Sequence, residues 1–100
     1  MDKKKFAYIM MGADHDPERD HACFEGKRVI TYLCGVRNFE EAKGKVLEFQ
    51  ENGVGAVELC GAFGKEKADE LTALTGGTLA IGYVIHEPEQ DSLFDAFFGN

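Results

Sequence analysis

VITYLCGVRNFEEAKGKVLEFQENGVGAVELCG (residues 29–61) holds the reading on which the architecture of this chain turns. Val29–Leu33 is β-branched and aromatic, the composition of a strand. Asn38 then offers a side-chain oxygen as a helix cap, with Glu41 three residues on, a variant of the capping box. Phe39, Ala42, Val46, Leu47 and Phe49 fall on one helical stripe. Asn52-Gly53 supplies a left-handed stop, and Gly55–Leu59 returns as a strand. A strand, a capped helix over Asn38–Asn52 and a second strand form a unit whose two strands run parallel, because the crossover helix carries the chain back to its starting edge.

The same rhythm continues on both sides. Phe6–Met11 is an unbroken apolar run closed by Gly12, which suits a strand buried on both faces. Asp16-Pro17 offers a cap and a proline at the first helical position, so a short helix can run to about Glu25 and stop at Gly26. Its apolar content, Ala22, Cys23 and Phe24, is thin, and an ordered loop is the alternative. Lys65–Thr75 reads as a helix with Ala68, Leu71 and Leu74 inward and Gly76-Gly77 at its end. Thr78–Ile85 is a fourth strand, and Pro88 opens a last helix carrying Leu93, Phe94, Phe97 and Phe98. The expected fold is one small α/β domain over residues 1–100, with four mostly parallel strands and three to four helices. By analogy with doubly wound sheets the strand order is 2-1-3-4. Two other arrangements fit. One is half of a β/α barrel completed by a second chain; the other is a dimeric ferredoxin-like α+β sheet, in which Val29–Leu33 pairs antiparallel.

Composition narrows the function. The chain has 100 residues, 44% hydrophobic, enough for one core. Its net charge of −7 repels phosphate backbones, which excludes nucleic acid as the expected partner. No apolar run has the length of a membrane span, and the run after Lys3–Lys5 is interrupted early by His15 and the acids, so neither a signal peptide nor membrane association is expected. Three cysteines without a CxxC pair do not make a disulfide framework, and the expected compartment is the reducing cytoplasm.

FAYIMMGADHDPE (6–18), GVRNFEEA (35–42), GVGAVELCGAFG (53–64) and GYVIHEPEQDSLF (82–94) resemble a small uncharacterised bacterial family known as a domain of unknown function. The resemblance spans nearly the whole chain and implies a complete, free-standing protein. It brings no activity and no assigned catalytic residue.

Repeated strand–helix units gather their strand ends at one edge of the sheet. Asp14, His15, Asp16, Cys34, Arg37, Cys60, His86 and Glu87 then share one rim. Asp14-His15-Asp16 has the ligand types of a divalent metal site. However, neighbouring side chains of an extended segment diverge, and Asp16 is needed as a cap, so no metal is assigned; nor does any motif imply a cofactor. Cys60-Gly61-Ala62-Phe63-Gly64 joins a strand to a helix through small residues, where backbone N–H groups can approach an anion, although neither GxGxxG nor a P-loop is present. Glu58 lies inside an apolar strand, where a carboxylate is costly unless partnered. Alternation puts it on the face of Ala56 and Cys60, beneath the rim. His86 ends the fourth strand, placed for proton transfer, with Cys60 at the end of its neighbour.

Two functions follow. One is a small-ligand-binding protein, its ligand an anionic metabolite held by Asp14, Gly61, Gly64, Arg37 and Glu87. The other is a small enzyme, an isomerase, lyase or hydrolase, with Glu58 and His86 as acid and base and Cys60 nearby. Ligand binding is the preferred reading, because the polar groups are scattered and no pair has a spacing that chemistry demands; the enzyme is the alternative. Leu93, Phe94, Phe97 and Phe98 crowd the last helix beyond what a small sheet can cover, so a homo-oligomer is expected, a dimer with this helix at its interface.

Overall fold

The computed structural model describes residues 2–99. The chain runs β1 (Lys4–Met11), β2 (His21–Glu25), β3 (Val29–Val36), α1 (Phe39–Glu51), β4 (Ala56–Leu59), α2 (Gly64–Leu74) and β5 (Ala80–Tyr83). A 3-10 turn at Pro88–Gln90 then leads into α3 (Asp91–Phe98). The strands form one mixed sheet ordered β2-β3-β1-β4-β5. β3, β1, β4 and β5 are parallel, in the order expected for the four anticipated strands. Val29–Leu33 lies parallel to β1, so the ferredoxin-like alternative does not form; the antiparallel partner of this segment is β2, a strand the sequence reading did not anticipate.

The sheet has five strands rather than four. The segment expected as a short helix or ordered loop ends in β2, which pairs antiparallel with β3 from Glu25↔Ile30 to His21↔Cys34. Asp16 does cap, with Oδ1 accepting from the Glu18 N–H at 2.9 Å, but only a turn follows. Ala22 and Phe24 alternate with His21 and Cys23 instead of forming a helical stripe. A tight connection closed by Gly26 N–H to Val29 O (2.8 Å) folds the strand back on β3.

The helix of the opening stretch forms as its signals require. Asn38 Oδ1 accepts from the Glu41 N–H at 2.9 Å, and Gly53 stops the chain with φ +89°. β3-α1-β4 steps over β1, and β4-α2-β5 steps once more in the same direction. Right-handed crossovers moving the same way place both helices on one face. There Ala7, Ile9, Val36, Val46, Leu59 and Leu71 form the core. The opposite face is left without a helix, so Phe6, Tyr8 and Met10 of β1, which alternate with Ala7 and Ile9, are only half-buried. Glu58 is on this uncovered face and is exposed, so the cost of placing a carboxylate in an apolar strand does not arise. α3 has no buried residue among those described, and it packs on the 3-10 turn before it and, through Phe94, on the His86 ring. No helix among the described residues is long and apolar enough to cross a membrane.

Candidate functional site

β1 and β3 end side by side, with the Gly12 N–H donating to Val36 O at 2.9 Å. The connection after β1 is built around Asp20. Its carboxylate accepts from Arg19 Nε (2.9 Å) and Nη2 (2.8 Å) and from the Asp16 N–H (2.9 Å). The Arg19 guanidinium, then the Asp16 N–H, hold Asp20 well below the usual carboxylate range. The His15 ring packs over Gly35, where a Cβ would stand 2.9 Å from His15 Cγ, so only glycine admits that contact.

Across from this connection stands the start of α1. Glu41 does more than a capping box asks. Its Oε1 accepts from the Arg37 N–H at 2.7 Å, and its Oε2 from Arg37 Nε at 3.0 Å. The Arg37 side chain, then its N–H, lower the Glu41 pKa, and the same pairing raises that of Arg37. Between loop and helix lies a cleft of about 700 Å³ lined by Asp16, Pro17, Glu18, His21, Arg37, Glu41 and Lys45. It is mixed in charge. Lys45 also pairs with Glu48 at 2.9 Å, and His21 Nδ1 lies 3.1 Å from Pro17 O.

The residues anticipated from sequence divide between two places. Arg37 and Asp16 belong to the cleft. Asp14 is exposed beside it, its carbonyl accepting from Arg19 Nη2 at 2.7 Å. Cys60, Gly61, Gly64, His86 and Glu87 lie at the same edge of the sheet, but beyond β4 and β5. β3 and β5 are three strand spacings apart, about 14 Å. The Cys60 N–H donates to Ile9 O at 3.0 Å, and its thiol accepts from the Met11 N–H at 3.3 Å. Gly64 opens α2 at φ +74°, and a Cβ at Gly61 would approach Val84 O to 3.7 Å. Glu87 is extended before the 3-10 turn. Cys34 is buried beneath the sheet, and burial raises its thiol pKa.

His86 is engaged away from Cys60. Its Nε2 is 2.7 Å from Asp91 Oδ1, and its ring stacks on Phe94 at 4.0 Å between centroids. Glu58 lies across Gly82, its Cγ 3.8 Å from where a Cβ there would stand. Among the described residues Glu58, Cys60 and His86 make no hydrogen bond to one another, and no three His, Cys, Asp or Glu side chains are grouped to hold a metal. Tyr8, beside Glu58 in the ladder, has its hydroxyl pKa raised by partial burial first, then by Cys60 and Glu58.

Sequence reading missed the parts played by Glu18, His21 and Lys45 in the cleft and by Asp20 in the connection beside it. The available signal was the hairpin length between β2 and β3, which brings His21 back to the rim. Lys45 lies two helical turns from Arg37, hence on its side of α1. The family model of DUF6506, a family of unknown function, matches residues 4–99. No curated protein and no solved structure matches the chain.

Proposed function

We propose, for a chain that belongs to DUF6506 and takes no known function from that family, that it is a cytoplasmic small-ligand-binding protein whose site is the cleft at Arg37. One observation carries the reading: the cleft lies outside the carboxyl ends of parallel β1 and β3, where open α/β sheets bind their ligands. Its chemistry names a ligand class. A purely anionic ligand meets three carboxylates, Asp16, Glu18 and Glu41, beside the two cations. A zwitterion of amino-acid type satisfies both signs. Its carboxylate shares the Arg37 fork with Glu41, and its ammonium faces Asp16 and Glu18. The free thiols of Cys23, Cys34 and Cys60 support the reducing compartment.

Calorimetric titration with a panel of amino acids and, separately, phosphorylated metabolites tests this. Binding by an amino acid, weakened at least tenfold in Arg37→Ala and unchanged in Glu58→Gln, is expected. No heat from any zwitterion, or binding indifferent to Arg37→Ala, overturns it.

The catalytic alternative uses Glu58 and His86 as acid and base with Cys60 nearby. Its support is the Tyr8 hydroxyl, which stands beside Glu58 in the ladder and whose pKa is raised by partial burial first, then by Cys60 and Glu58. It requires His86 to leave Asp91 and Phe94. Loss of an identified turnover in Glu58→Gln, with the fold retained, would favour it.

A further inference from the structure

The chain has two uncovered apolar surfaces of different shape. The first is the sheet face turned away from α1 and α2, where Phe6, Tyr8 and Met10 stand beside Leu33 and Phe24. The second is α3. At 100° per residue, Leu93, Phe94, Phe97 and Phe98 fall within an arc of about 140°, while Ser92 and Asp95 take the other side and Asp91 borders the stripe. These four side chains are 66%, 41%, 80% and 76% exposed. Among the described residues the main packing of this helix is on its own lead-in segment, the turn and the His86 ring under Phe94, and such a stripe is unfinished.

We infer that a second copy of this chain completes both surfaces: α3 of each copy lies across the open sheet face of the other, about a twofold axis. Three features favour a second copy over fold-back within one chain. The direction of α3 is set by the Pro88–Gln90 turn, by His86 Nε2 on Asp91 Oδ1 at 2.7 Å and by the stacking of His86 on Phe94, all of which hold the helix off its own sheet. The described residues accordingly extend 46 × 27 × 25 Å. Next, helix and face are present together, so one twofold operation covers both and closes the assembly. Finally, the area suffices. A fully buried aromatic contributes about 150–250 Å², so the α3 stripe presents roughly 500 Å². Two helices and the two faces they cover then bury about 2,000 Å², the size of a stable dimer interface. Phe24, 58% exposed on edge strand β2, is at the margin of the covered face, and Glu58 marks its polar end.

Light scattering on the full chain at micromolar concentration should give twice the 11.0 kDa monomer mass. The double variant Phe97→Asp, Phe98→Asp should halve it without changing the far-ultraviolet circular dichroism, because α3 has no buried residue. To place the helix, p-benzoylphenylalanine replaces Phe97 and is photo-activated. Crosslinked peptides should join α3 of one copy to residues 4–11, 21–25 or 29–36 of the other. A monomeric wild-type mass, a double variant that remains dimeric, or crosslinks confined to α3–α3 pairs or to one chain would each overturn the inference. None of these results depends on what the Arg37 cleft binds.

Discussion

Glu41 ties three points at the head of α1: its N–H to the Asn38 side chain, and its carboxylate to the N–H and the guanidinium of Arg37. The carboxylate binds its proton more weakly when folded, so folding is favoured above the ordinary glutamate pKa, and that contribution is lost as pH falls through the lowered value. Carboxyl-detected NMR should place the Glu41 midpoint below the ordinary glutamate value and return it there in Arg37→Ala. An unshifted midpoint in the wild type would dissolve the pairing. The thiols give a second residue-scale expectation. Cys34 is buried and its pKa is raised, whereas Cys23 is exposed on β2. Mass spectrometry after brief iodoacetamide treatment should find Cys23 alkylated first and Cys34 last. Glu58 marks how far a single residue can be read. Alternation placed its side chain on the correct face, but whether that face was buried depended on the handedness of two crossovers, information no local pattern contains.

At the scale of elements, α1 was fully legible because cap, stripe and glycine stop agree. Asn38→Ala should cost about 1 kcal/mol, lowering Tm by roughly 4–8 °C for a domain of this size. A Tm within a degree of the wild type would assign the cap no role. Leu71, fully buried on α2, should cost about 2–5 kcal/mol as Leu71→Ala. β2 was hidden for a physical reason. Asp16-Pro17 begins a helix chemically, and the Asp16 cap does form, but strand pairing with β3 claims the residues that follow. Tertiary pairing overrides a start signal that no apolar stripe supports. The cleft was half legible: Arg37 and Asp16 flank it as the rim argument required, while Glu18, His21 and Lys45 needed β2 in place.

At the scale of the molecule, the expected order 2-1-3-4 is present among the parallel strands, yet the doubly wound analogy that supplied it also implies helices on both faces. Here the two helical crossovers never reverse direction, and one face stays open. The register of the sheet has a further effect, on time. β1 pairs with β3 from Lys4↔Val29 to Met11↔Val36, but with β4 only from Phe6↔Ala56 to Ile9↔Leu59. A long ladder between near segments lies next to a short ladder between far ones, and closing the longer loop costs more entropy. β1, β2 and β3 can therefore assemble while β4 and β5 are still being synthesised, with α1 the strap that later draws the second half onto the first. Native-state hydrogen exchange should find the Cys60 and Gly55 amides, which bond to Ile9 O and Lys5 O across that seam, exchanging faster than the Gly12 amide on Val36. The sheet would then part along one line, between its first strand and its fourth, like a book opened at its spine.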